Sequence, residues 1–351
     1  MKQKTEAKFL SLPVASCLSH LWIKPKLQVK TAFSWHQNRF RNLDSSFQPR
    51  QRGDLLKWLL HRHSRTWKVD IANEYKQFKQ QNREIPHARP HAPLHDWQVW
   101  FISHATVLLQ IGPYNFLTDP VWADYASPYH GLGSIRVCPA GIALDELPKI
   151  DAVLLSHNHY DHMDLATLNW LYDHFQMTIY TGLGNAAYLP KHFKVVEMDW
   201  WQTVFFREVK IVYTPAQHGS GRGFRDQDCA LWGGFSLVYQ KNHCFFAGDT
   251  GYSAHFKEIR ERLGEPRVAL LPIGAYEPRH LMKVMHMNPA DALQAHKDLH
   301  AKCSIAMHYR TFQLTDEGRD QPEHDLHQAM KGMSKFINPF YCVHEGKKVI
   351  V

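Results

Sequence analysis

The chain has 351 residues, 44% of them hydrophobic and 21% charged, enough apolar content to exclude a disordered chain and to build one large core. No stretch approaches the roughly 18 continuous apolar residues of a membrane span. The formal net charge of +8 is uneven: residues 1–95 carry 18 Lys+Arg against 6 Asp+Glu, and the remainder 23 against 27.

The basic excess therefore lies wholly in the N-terminal quarter, where it either attracts anionic lipid or nucleic acid or simply keeps the surface solvated. At the start, Lys2, Lys4 and Lys8 precede a short apolar run, Phe9 to Ala15, and then Ser16-Cys17. This outlines a bacterial lipoprotein signal with Cys17 as the lipidated residue, but the run is at the lower limit of length, and Glu6 and Pro13 fit poorly. The expectation is a cytoplasmic or peripherally membrane-associated protein, with the lipoprotein as the alternative. Further on, Asp54 to His63 reads as a short helix whose Leu55, Leu56, Leu59 and Leu60 form an apolar stripe. It either packs on the rest of the protein or rests in a lipid headgroup layer with Trp58 as anchor. The polar, proline-bearing stretch Arg83 to Pro93 reads as a linker. The expected division is a basic N-terminal extension over residues 1–95 and a catalytic domain over 96–351.

Trp97 to Ile102 is strand-like and opens the domain. Thr106 to Ile111, Gly112-Pro113 and Tyr114 to Leu117 read as a hairpin. Ala152 to Leu155 is a buried-strand signal, and a helix begins at Met163-Asp164-Leu165. Val209 to Pro215, Cys244 to Gly248 and Ser304 to Met307 are apolar runs, while Ser253 to Leu263 and Pro289 to Leu299 read as helices. Strands followed by helices in each half are what a four-layer α/β sandwich requires. The six cysteines are scattered without C-x-x-C pairs, which favours a reduced compartment, with Cys244 and Cys303 as buried small hydrophobes.

The chemistry is concentrated in Ser156-His157-Asn158-His159-Tyr160-Asp161-His162, an H-x-H-x-D-H cluster directly behind the apolar strand. Alternate residues of an extended segment point the same way, so His157 and His159 can converge on one cation. Asp161 and His162, beyond the turn, can serve a second. Imidazole with carboxylate suits zinc, and less selectively iron or manganese. Four ligands cannot close two sites, and His218, Asp249 and His308, each at the end of an apolar run, can supply the rest. With 25 histidines in the chain, one strand-end histidine alone is more often an ordinary core or surface residue. The cluster differs, because packing gives no reason to gather such costly groups behind a hydrophobic strand.

H-x-H-x-D-H followed by His218, Asp249 and His308 resembles the metallo-β-lactamase superfamily. Leu117-Thr118-Asp119-Pro120, Ile150 to His162, Asp199-Trp200-Trp201, Phe245 to Tyr252 and Pro272 to Pro278 narrow the resemblance to the N-acylphosphatidylethanolamine-hydrolysing phospholipase D family. The resemblance implies an αββα sandwich and two zinc ions. His157, His159 and His218 would hold one, Asp161, His162 and His308 the other, and Asp249 would bridge them. It places His286 near the substrate phosphate, and Asp119 behind a ligand imidazole rather than as a mere turn residue before Pro120. It implies a phospholipid substrate at a membrane surface and no nucleic-acid partner. Asp161 would also orient the attacking hydroxide, and His286 would hydrogen-bond the phosphate or assist the leaving group.

Three departures concern the pocket wall: Arg310 stands where the family commonly has glycine, and Gly219 and Phe235 where it often has tryptophan. Arg310 either reaches the phosphate or pairs with a carboxylate such as Asp316 or Glu317. A superfamily nuclease, a lactonase or thioesterase, and a non-enzymatic lipid-binding protein are the rival readings.

Overall fold

Ala152–Leu155 has no polar face because, in the computed structural model, both sides of this strand are covered. The structure describes residues 35–36, 38–44, 53, 57–58, 60, 67–81, 83–223, 225–331 and 338–351. Cys17 and its lipoprotein-like segment lie outside these residues, as does most of the Asp54 to His63 stretch. Within that stretch, the Trp58 indole N–H donates to Asp316 at 2.6 Å.

A first sheet of seven strands contains β1 (Trp97–Ser103), β2 (Thr106–Ile111), β3 (Tyr114–Thr118), β4 (Ala152–Leu155), β5 (Thr178–Gly182) and β6 (Lys194–Met198), with the C-terminal strand Lys347–Ile350 on the far side of β1. Strands β3 to β6 run parallel, while the β1, β2 and β3 ladders are antiparallel. A second seven-stranded sheet takes, in order, β7 (Thr203–Phe206), β8 (Val209–Thr214), β9 (Gly234–Tyr239), β10 (Asn242–Phe246), β11 (Val268–Pro272), β12 (Ser304–Met307) and β13 (Phe340–Tyr341). It is antiparallel as far as β10 and parallel beyond it.

The side-chain period of two divides each strand of the first sheet between two cores. Val99, Phe101, Leu109, Phe116 and Leu154 meet Ile211, Tyr213, Phe235, Leu237, Phe246 and Leu270 in the space between the sheets. Their alternates Trp100, Ile102, Leu108, Leu117, Val153 and Leu155 pack outward with Leu168, Leu171 and Tyr172. Those last three lie on a helix, Leu165–Phe175, which starts where Asp164 accepts from the amides of Ala166 and Thr167. On the outer face of the second sheet lie His255–Leu263 and Pro289–Leu299. The second of these is opened by a reciprocal Asn288/Asp291 cap with Pro289 in its first turn, where a missing N–H costs nothing. The arrangement is the expected four-layer αββα sandwich. Among the described residues, no helix is long and apolar enough to cross a membrane.

Two details differ from the sequence reading. The helix expected from Ser253 begins at His255, and Ser253 instead turns its hydroxyl to His255 Nδ1 at 2.7 Å. A ten-residue helix, Ile71–Gln80, capped by Asp70, has no fully buried residue; its half-buried Ile71, Tyr75 and Phe78 recur at helical spacing on one face, a pattern the sequence reading passed over.

The N-terminal quarter touches the sandwich at specific points. Phe40 is 2% exposed within the larger hydrophobic core, with its amide on the Asp228 carbonyl at 2.8 Å, and Arg83 forks onto Glu146 at 3.0 Å.

Candidate metal centre

The parallel runs of both sheets end at one edge of the sandwich, and three of those ends carry a candidate ligand. His157 follows β4 by two residues, Asp249 follows β10 by three, and His308 follows β12 directly. Glycine permits this crowding at two places. Gly248 has φ +61°, and a Cβ there would lie 2.8 Å from Ser156 Cβ; at Gly274, after β11, it would lie 2.1 Å from the His308 carbonyl oxygen. Any side chain at either position would push the ligand-bearing loops apart.

All seven candidate ligands come together, and all but His159 are at most 9% exposed. His157 Nε2 and His159 Nδ1 lie 2.8 Å apart, and His218 Nε2 is 3.2 Å from His159 Nδ1. In the other half, His162 Nε2 and His308 Nε2 are each 3.1 Å from Asp249 Oδ2 and 3.3 Å from Asp161 Oδ2. Asp249 Oδ2 also lies 3.7 Å from His218 Nε2, so this carboxylate stands between the two groups.

These separations fit metal ions. Ligand atoms held tetrahedrally at about 2.0–2.1 Å from a cation are about 3.3–3.4 Å apart, and the observed spacings bracket that edge. Asp249 Oδ1 is buried without a hydrogen-bond partner, as a coordinating atom is before a cation reaches it.

The electrostatics point the same way. Burial opposes charge on His162, yet Asp249, Asp161 and Asp119 hold its imidazolium well above the ordinary range. Burial likewise opposes charge on His308, but Asp249 and Asp161 raise it to about 9. For Asp161 and Asp249 burial favours the neutral acid, and the imidazoles, His162 foremost, reverse this and hold both carboxyls well below the usual range. His157 and His218 are instead pushed down, chiefly by burial, His218 to about 3. One half of the site thus attracts positive charge while the other presents neutral imidazoles, a donor set that a divalent cation satisfies.

This has a testable consequence for the metal-free protein. A histidine raised from about 6.5 in the unfolded chain to about 9 when folded stabilises the fold fully below the first value and not above the second. The melting temperature of chelator-treated protein should therefore fall as pH rises from 7 to 9.5. Saturating zinc, which displaces the proton, should flatten that fall. An unchanged melting temperature without metal would show that His308 is not held protonated.

The supporting residues are equally specific. Asp119 takes His162 Nδ1 at 2.6 Å and the Ser156 amide at 2.7 Å, which turns His162 Nε2 toward Asp161 and Asp249. His286 sits at the rim, its side chain 12% exposed and its Nδ1 4.0 Å from Asp249 Oδ2. Arg310 Nη1 pairs with Asp320 at 2.7 Å and Glu323 at 3.4 Å, carboxylates other than the two singled out from the sequence. Gly219 lies beside the Asp228 carboxylate, and Phe235 is in the core between the sheets.

Three residues of the site were not singled out from the sequence. His104, 1% exposed, puts Nε2 3.0 Å from Asp161 Oδ2, and its ring lies 4.0 Å from that of His308 at a 40° tilt. It directly follows β1, a lone strand-end histidine of the kind usually discounted, and only that position could have marked it. Asn42 clasps the His218 backbone, donating to its carbonyl at 2.8 Å and accepting from its amide at 3.0 Å. Arg222 donates to the Asn158 and Met163 carbonyls at 2.9 Å each and lies 3.9 Å from the Tyr160 ring, tying the histidine-rich turn to the His218 loop. No spacing rule links either residue to the ligands.

Known proteins resemble this chain. The family model described as the beta-lactamase superfamily domain matches residues 114–309. N-acyl-phosphatidylethanolamine-hydrolyzing phospholipase D 1 of Caenorhabditis elegans is 35% identical over 244 residues, 66% of this chain and 68% of that protein. An uncharacterized protein of Mycobacterium tuberculosis is 38% identical over 231 residues, 64% of this chain and 61% of the relative, so the match spans less than two thirds of that protein's length. Among solved structures, Igni18, a metallo hydrolase from the archaeon Ignicoccus hospitalis, superposes with a TM-score of 0.56 at 21% identity, covering 73% of this chain and 98% of its own; this likeness concerns the fold. With the ligand-bearing strand ends, the matched domain and a relative at this identity in agreement, the chain belongs to the metallo-β-lactamase superfamily and, within it, to the N-acylphosphatidylethanolamine-hydrolysing phospholipase D family.

Proposed function

We propose that this chain is a two-zinc phosphodiesterase of the phospholipase D type, which hydrolyses N-acylphosphatidylethanolamine to phosphatidate and an N-acylethanolamine. The observation that carries the reading is Asp249, whose Oδ2 lies within 3.7 Å of nitrogens from both histidine groups. The worm relative, named for this reaction, supports the choice of substrate.

Under this reading His157, His159 and His218 hold one ion, and Asp161, His162 and His308 the other, with Asp249 shared. When bound, two divalent ions lower the pKa of a water between them and offset charge building on the phosphoryl oxygens. The chain's own residues position the reaction. Asp119 fixes the tautomer and direction of His162 through Nδ1, as carboxylates behind metal-bound imidazoles commonly do. Asp161, held as a carboxylate, accepts a hydrogen bond from the attacking water and so aims its lone pair at phosphorus. His286 at the rim is placed to hydrogen-bond the phosphate and pass a proton to the departing ethanolamine oxygen. The bond broken is that between phosphorus and this oxygen; the water oxygen ends in phosphatidate. The basic N-terminal extension, residues 1–95, supplies peripheral attraction to an anionic membrane surface.

The test is turnover by the metal-loaded protein on four substrates: an N-acylated phospholipid in vesicles, bis(p-nitrophenyl) phosphate, RNA and a lactone. Release of N-acylethanolamine is the expected outcome, with weaker cleavage of the chromogenic diester. Rapid RNA hydrolysis with none of the lipid would overturn the substrate assignment.

A further inference from the structure

A second group of metal-capable side chains lies on other elements and shares none of the seven candidate ligands above. Glu323 and His327 are four residues apart on the helix Gln321–Lys331, which puts them on one face. Cys342 follows β13. One ligand atom from each of these three residues lies within 4.8 Å of the other two, and the thiol is in no disulfide. His344 follows two residues on, with buried Val343 between it and Cys342, and its Nε2 is 3.5 Å from Glu323 Oε2.

An ion-pair cluster accounts for only part of this. Arg310 Nη1 touches the same Glu323 oxygen at 3.4 Å, but its shorter contact is Asp320 at 2.7 Å, so it keeps a partner if Glu323 turns to a cation. Ion pairing gives no reason for a thiol and an imidazole to converge on that carboxylate. Their donor types do: sulfur, nitrogen and oxygen in one small set suit zinc and its neighbours in the first transition row and do not suit calcium or magnesium.

We propose that Glu323, His327 and Cys342 form an additional binding site for a zinc-type divalent cation, separate from the histidine centre, with its fourth position open to His344. On binding, the sulfur–metal bond replaces the S–H bond, and the thiol proton leaves to solvent. The site does not depend on the phosphodiesterase reading, because it uses no residue of that centre.

Cobalt(II) tests it on the full chain stripped of metal. The candidate ligands of the histidine centre include no cysteine, so a near-ultraviolet thiolate-to-cobalt charge-transfer band reports the additional site alone, whatever cobalt does at the histidines. The band is expected to appear and saturate, to vanish with one equivalent of bound cobalt in Cys342→Ser, and to need at least about tenfold more cobalt in His327→Ala. His327 is exposed, so its variant tests the site even if the cysteine variant fails to fold. Absence of the band in the full chain, or its survival in Cys342→Ser, would overturn the proposal. Loss of cobalt from the histidine centre with the band intact would count against the phosphodiesterase reading only.

Discussion

Asp249→Asn is expected to abolish metal retention and hydrolysis together. The carboxylate is 3% exposed and lies against His162, His308 and His218, so the neutral amide removes the anion that balances charge in both halves of the site. Metal content after gel filtration should fall below that of the parent, and turnover should drop by at least about a thousandfold, the scale of losing one preorganised group in a hydrolytic site. The isosteric change leaves the volume of the site unaltered, so loss of metal would not be a packing effect. A variant that keeps both metals and full activity would remove Asp249 from its proposed bridging position.

His104 should act through Asp161. A carboxylate cannot donate, so the 3.0 Å contact is a hydrogen bond from imidazole Nε2–H to Oδ2, the oxygen that also lies 3.3 Å from His162 and His308 Nε2, and it fixes which way the carboxylate faces. Truncation in His104→Ala is expected to weaken metal binding and lower turnover by about 10- to 100-fold, the usual cost of losing a partner behind a metal ligand. His104→Gln can still present an N–H near the same place and should recover much of that loss. If the residue merely fills space between His308 and Phe312, to whose ring it lies edge-on at 5.2 Å, both variants would lower the melting temperature and leave the affinity of the folded protein for zinc unchanged.

Much of the scaffold was legible because its signals are local. Ala152–Leu155, Ser304–Met307 and Pro289–Leu299 lie at the residues read from the sequence, since apolar runs, an Asn cap and a proline in the first helical turn act over a few residues. The helix Ile71–Gln80 was not read, although Ile71, Tyr75 and Phe78 recur at helical spacing and lie half-buried on one face.

For the site, the sequence by itself determined the chemistry. H-x-H-x-D-H behind an apolar strand gathers its donors within one turn, and no packing need explains them. It also marked His218, Asp249 and His308 as strand-end groups. Only the tertiary structure decided how these meet: two sheets, each with a parallel run, stack so that their strand ends share one edge, which brings residues 87 and 59 positions apart to hydrogen-bonding distance. Asn42, His104 and Arg222 belong entirely to that second level. Each holds a ligand or its loop from a distant segment, and contacts between distant segments exist only after the chain has folded.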